Sequence, residues 1–188
     1  MAILFRRNRL RDAAELAYRR VVEQARQSGF FAQLGVPDTV DGRFELILLH
    51  AFLYLRRLKA EQPRAADLGQ RFCDAMLTDF DRSLREMGAG DLSVGREVKR
   101  MAQAFYGRID AYERGLAQGD AVLESALARN LFGTMSAAKP ARLGAMAWYL
   151  RREAADLDKQ PASDLLSGEV RFGPVPALPA VAHTGDAA

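Results

Sequence analysis

Cysteine is nearly absent from this chain of 188 residues: Cys73 stands alone, so no internal disulfide can form and no Cys-x-x-Cys or zinc-ligand spacing exists. A reducing compartment follows. Histidine is almost as scarce, with His50 the single one in the stretch that reads as folded, and no Glu-x-x-His pair accompanies it, so a di-metal carboxylate bundle is not supported. G-x-G-x-x-G, P-loop and nucleophile-elbow motifs are missing, and no Cys-His-acid set is arranged for nucleophilic catalysis. The expectation is a protein that is not an enzyme and needs neither cofactor nor metal.

Long apolar runs are lacking as well. The longest, Leu46 to Leu55, is about half of the roughly 20 residues a membrane-spanning helix requires. The start, MAILFRRNRLR, has no extended apolar stretch and no small-residue cleavage site, so it is not a secretory signal. Its arginines resemble those of a transit peptide, but Asp12 and Glu15 follow at once. A net charge of +3 leans toward acidic partners such as lipid headgroups or RNA without being a nucleic-acid signature, and DNA is not expected.

What is present is ordinary for a soluble globular domain: 49% hydrophobic and 27% charged residues, in a chain long enough for one real core. Apolar residues from Leu10 through Ala25 recur every three or four positions, which predicts an amphipathic helix over about 10–33. Residues 1–10 form a basic, frayed lead in which Ile3, Leu4, Phe5, Arg6 and Arg7 are candidates for lying on an anionic membrane surface. The turn GVPDTVDG follows, with Asp38, Thr39 or Asp41 placed to cap the next helix. That helix, to about Ala60, is apolar on nearly all sides and must be enclosed by neighbours.

Leu68, Phe72, Met76, Phe80 and Leu84 then step by four, and Gly88 is placed as a left-handed cap. Asp91 or Ser93 is the expected cap of a fourth helix whose Val94, Val98, Met101, Phe105, Ile109, Tyr112 and Leu116 carry the cleanest helical period; a tight crossing would explain Gly107 within it. A shorter helix over Val122–Leu131 and a last long one carrying Leu143, Met146, Leu150, Ala154 and Leu157 inward complete the count. Beyond Gln160 prolines accumulate and periodicity ends. The fold class is therefore all-α: a single compact multi-helix domain of five to seven helices over residues 11–160, with an extended or disordered Pro-rich tail over 161–188.

His50, on so apolar a helix, reads as a buried, hydrogen-bonded core residue, with general base or metal ligand as the functional alternative. Cys73 reads as a small buried hydrophobe. Arg96, Lys99 and Arg100 form a basic patch, either a solvated face or a contact for RNA phosphates or an acidic partner.

The segments VPDT-x-DGRFEL-x-LLH, LRE-x-G-x-GD and AFYGR-x-x-AY, in that order, resemble the ubiquinol-cytochrome c chaperone family. The likeness extends from about Tyr18 to Leu157. It implies an all-helical, non-enzymatic chaperone for respiratory complex III assembly, whose hydrophobic client is newly made cytochrome b, and the short lead before the domain suggests a bacterial, cytoplasmic version, peripheral at the inner membrane. The ribosome and the membrane surface are further candidate partners. Within the motifs, Asp38, Arg43, Arg85 and Asp91 are expected to form a charged cluster between loops, and Tyr106 and Arg108 to be surface contacts. A client-facing apolar patch is expected around Phe30, Phe31, Tyr106, Tyr112, Trp148 and Tyr149. A helical carrier for a lipid or isoprenoid ligand is the alternative of another class.

Overall fold

A chain whose apolar residues recur at helical spacing, broken by Gly and Pro loops, can bury them only by packing helix on helix. The computed structural model describes the backbone of residues 2–134 and 139–178, and the side chains from Asn8 onward apart from Leu92. Within these it has six long helices, α1 (Ala2–Ala25), α3 (Val40–Lys59), α4 (Ala66–Glu86), α5 (Asp91–Gln118), α6 (Asp120–Asn130) and α7 (Pro140–Lys159), and two short ones, α2 (Ser28–Ala32) and α8 (Ala162–Leu166).

Helix α3 is the centre. Every residue from Glu45 to Tyr54 is buried, because α1, α4, α5 and α7 all pack against it. Around it Phe30, Phe52, Tyr54, Phe72, Tyr112 and Tyr149 bury their rings almost completely, each contributing on the order of 150–250 Å² of apolar area. Helix α4 presents Leu68, Phe72, Met76 and Phe80 inward, as their spacing of four requires.

Several expectations change. The first helix begins at Ala2 rather than after a frayed lead, and it ends at Ala25; the chain turns at Gln27 before α2. Gly29 lies where α2 meets Val175, so the break lets a separate short helix pack under the chain's end. Neither Asp91 nor Ser93 caps α5, whose cap is Gly90; the Ser93 hydroxyl donates back to the Gly90 carbonyl at 2.7 Å. Gly88 has φ +87°, the left-handed cap expected. Gly107 is at no crossing: a β-carbon there would meet open space. The close approach is at Gly115, where it would come within 2.7 Å of the Leu123 backbone.

The expected tail from 161 is a docked strap as far as residue 178. Leu165 and Val170 are buried, and the Phe172 ring stands edge-on to His50 at 5.1 Å. The strap's start bonds to itself through α8 and the turn after it, and side chains of the bundle satisfy several of its other backbone groups. Gln24 donates to the Gly173 carbonyl at 2.8 Å, the Gly173 amide donates to Glu153 at 2.8 Å, and Tyr54 donates to the Leu165 carbonyl at 2.9 Å. Gln160 both accepts from the Arg171 amide and donates to its carbonyl. Residues 179–188 lie outside the described part of the chain.

Candidate functional site

The lead-in to α3 is built to close on itself. The Gly42 amide donates to the Thr39 hydroxyl at 3.1 Å, which makes Thr39 the cap among the three candidates. A β-carbon on Gly42 would run into the Pro37 carbonyl, so the motif needs a glycine there. Arg43 reaches back to donate to Asp38 at 2.7 Å, and its guanidinium stands 5.9 Å from the centre of the Phe31 ring. The hydrogen bond from Arg43 lowers the Asp38 carboxyl below its ordinary range and raises the guanidinium.

Arg85 donates to Asp81 at 2.7 Å and also meets Asp91, tying the end of α4 to the start of α5 across the Gly88 turn. Asp38 with Arg43 and Arg85 with Asp91 are thus two separate exposed pairs, and among the described residues no ion pair joins them into the single cluster expected. Each has a local partner within reach, which is the arrangement short loops favour.

Arg108, expected as a surface contact, is half-buried and tied within the bundle. It spans from α5 to α3, where Nε donates to Glu45 at 3.0 Å and a second nitrogen binds the other carboxylate oxygen, while Nη1 donates to the Ala104 carbonyl at 3.2 Å. Burial is the main influence on Glu45 and raises its carboxyl, with Arg108 opposing it. Tyr112, also expected on the surface, is fully buried against Phe52, and its hydroxyl is the one buried side-chain polar atom left without a partner among the described residues. Burial pushes that phenol far above its ordinary value.

The expected apolar patch shrinks. Phe30 and Tyr149 are core residues: α2 turns the Phe30 ring inward, edge-on to Tyr149 at 5.2 Å. Tyr106 and Trp148 are open, at 73% and 55% exposure. They lie on different helices, α5 and α7. Arg96 and Lys99 are exposed on α5; neither has an ion-pair partner among the described residues, whereas Arg100 binds Glu97 at 2.9 Å. The side chains of Ile3, Leu4, Phe5, Arg6 and Arg7 lie outside the described part.

Trp148 borders a surface groove of about 610 Å³ between α7 and the strap, floored by Ala141, Gly144 and Ala145 and walled by Pro174 to Ala177. The Arg152 guanidinium lies 4.8 Å over the indole and 5.1 Å from the Tyr149 ring, and it donates to the Pro174 carbonyl at 2.6 Å. Arg152 and Glu153, which position this groove, were missed by reading the sequence. The signal was present: Glu153 falls on the inward stripe of Met146, Leu150 and Leu157, where a carboxylate needs partners.

His50 is fully buried. Its Nδ1 donates to the Leu46 carbonyl at 2.7 Å and its Nε2 accepts from the Tyr149 hydroxyl at 2.8 Å, a tautomer fixed by the network. Tyr149 in turn accepts from Gln24 at 2.9 Å. Both ring nitrogens are occupied, and burial lowers the imidazole to about 4. Burial also lifts Cys73 to about 11, which keeps it a thiol.

Residues 32–172 match the family described as Ubiquinol-cytochrome C chaperone. The chain is similar to Ubiquinol-cytochrome-c reductase complex assembly factor 1 of Xenopus laevis, at 28% identity over 89% of this chain and 84% of the frog protein. The Mus musculus protein of that name is 29% identical over 89% of this chain, which spans 57% of the mouse protein. Among solved structures, that of the Cbp3 homolog from Brucella abortus superposes with a TM-score of 0.80 at 35% identity, covering 93% of this chain and 98% of that one. The match runs over more than half of the chain and through all three sequence motifs, and this chain belongs to the ubiquinol-cytochrome c chaperone family.

Proposed function

We propose that the protein is an assembly chaperone for ubiquinol-cytochrome c reductase, respiratory complex III, and that it holds newly made cytochrome b until later steps of assembly take it over. The observation that supports this reading most is the family match over residues 32–172, together with relatives that are named as assembly factors of that complex. The action is binding, not catalysis. His50, the best candidate for a chemical role, has both nitrogens engaged inside the core.

A hydrophobic client needs open apolar surface. Trp148 and its groove, with Tyr106, offer such surface, and Arg96 and Lys99 add exposed positive charge nearby in sequence to Tyr106. Asp38, Arg43, Arg85 and Asp91 support the reading less, since their local partners explain them as loop ties. No helix among the described residues is long and apolar enough to cross a membrane. Contact with an anionic membrane surface is assigned to Ile3, Leu4, Phe5, Arg6 and Arg7, and co-sedimentation with liposomes of a chain lacking them tests it. The lipid-carrier alternative finds no support in the core, where ring side chains occupy the space around α3.

The reading is tested by placing a photoreactive amino acid at Trp148 and, in a separate strain, at Tyr106 in the cell that makes this protein. Crosslinks to cytochrome b are expected there; crosslinks absent from Trp148 and Tyr106 alike, with the protein present and folded, would remove the assignment of the client surface.

A further inference from the structure

Helices α1 and α4 lie side by side, and between them runs a surface groove of about 740 Å³ whose walls carry five arginines: Arg11, Arg19, Arg26, Arg71 and Arg82. Four carboxylates share the walls, and each has a partner. Glu15 is held by Arg11 at 3.4 Å, Glu23 by Arg20 at 3.1 Å, Asp79 by Arg82 and by the Tyr18 hydroxyl at 2.8 Å, and Asp74 by the Gln70 amide at 2.9 Å. That leaves Arg19, Arg26 and Arg71 with no carboxylate in ion-pair range among the described residues. Beneath them the floor is apolar, formed by Val22, Ala75 and the Tyr18 ring.

Three unpaired guanidinium groups over an apolar floor suit a ligand with a phosphate at one end and hydrocarbon at the other. Guanidinium is the side chain best matched to phosphate, because its planar fork donates two parallel hydrogen bonds. A free phosphate would use only the guanidiniums and leave the floor empty. An acidic peptide running along the groove would also meet Glu15, Glu23, Asp74 and Asp79 on its walls. We propose that the groove between α1 and α4 binds the headgroup of an anionic phospholipid at a membrane surface, with Arg19, Arg26 and Arg71 on the phosphate and Val22 and Ala75 against the start of the acyl chain. The assignment does not depend on what the protein assembles, because it concerns vesicles alone.

The test is flotation of the full chain with vesicles of phosphatidylcholine and with vesicles of phosphatidylcholine mixed with phosphatidylglycerol. The native chain is expected to bind the mixed vesicles and to be released by salt. The triple variant Arg19→Gln, Arg26→Gln, Arg71→Gln should bind them at least about tenfold more weakly, given the usual contribution of each basic residue near such a surface. A control with the same loss of charge elsewhere, Lys59→Gln, Arg129→Gln, Lys139→Gln, should bind as the native chain does. The circular dichroism spectra of both variants should match the native one; if the triple variant is misfolded, Arg26→Gln alone replaces it, with a severalfold loss expected.

Equal loss in the control would mean that net charge alone acts, and would overturn the proposal. So would undiminished binding by the groove variant, equal binding to neutral vesicles, or binding of inorganic phosphate without binding of the mixed vesicles. Binding of a polyglutamate peptide in place of vesicles would overturn it in favour of an acidic protein partner.

Discussion

The Tyr149 hydroxyl donates to His50 Nε2 at 2.8 Å, and this bond links α7 to α3 at the point where the Phe172 ring closes the core. Because burial lowers His50 to about 4 from its ordinary 6.5, the unfolded chain takes up a proton between these values while the folded chain does not. Stability is therefore full above about pH 6.5, declines as pH falls through that window and levels off below about 4, a loss of up to about 3 kcal/mol. Urea titrations across the window should show that decline, and the difference between native chain and His50→Gln should isolate it from the carboxylates. An identical pH slope in both would contradict it.

Replacing Tyr149 by Phe removes one hydroxyl and leaves His50 Nε2 and the Gln24 amide each short of a partner. A cost of about 1–3 kcal/mol is expected. For a chain of this size that lowers the melting temperature by roughly 2–4 °C per kcal/mol, readable by calorimetry.

Arg108 and Glu45 should prove strongly coupled. Arg108→Ala strands a buried carboxylate and should cost about 3 kcal/mol or more, whereas adding Glu45→Ala should recover part of the loss. A double-mutant cycle with an interaction energy near zero would show that the two residues act independently.

Two glycines from the sequence motifs should respond in opposite senses to alanine. Gly42→Ala drives a methyl group into the Pro37 carbonyl and should lower the denaturation midpoint clearly. Gly107→Ala meets open space within α5 and should raise stability by about 0.5–1 kcal/mol through helix propensity.

Ending the chain after Gln160 should cost at least about 3 kcal/mol, since it uncovers the sites of Leu165 and Val170, each worth roughly 1.5–3 kcal/mol when buried. Chemical denaturation of the shortened chain measures this. A midpoint equal to that of the whole chain would mean the strap is ornamental.

The six long helices were legible because Leu68, Phe72, Met76 and Phe80, or Val94 through Leu116, repeat with the period of the helix that buries them. The strap was not, because its order comes from side chains distant in sequence, Gln24, Glu153 and Gln160, bonding to a backbone with no pattern of its own. The same blindness hid the partner of Arg108, since nothing near it in the chain pointed to Glu45. Tyr112, by contrast, falls on the period of Phe105, Ile109 and Leu116, and that period rather than its motif neighbours marks it as buried. Tyr106 and Trp148 were read correctly as open because each falls off the inward stripe of its own helix.

The central claim is that this chain assembles respiratory complex III. The most direct measurement is the amount of assembled ubiquinol-cytochrome c reductase in a strain that lacks the gene, compared with the same strain carrying the gene again. The account predicts a marked loss of the assembled complex, with cytochrome b depleted, restored by the returned gene. Normal levels of active complex in the deletion strain would contradict it.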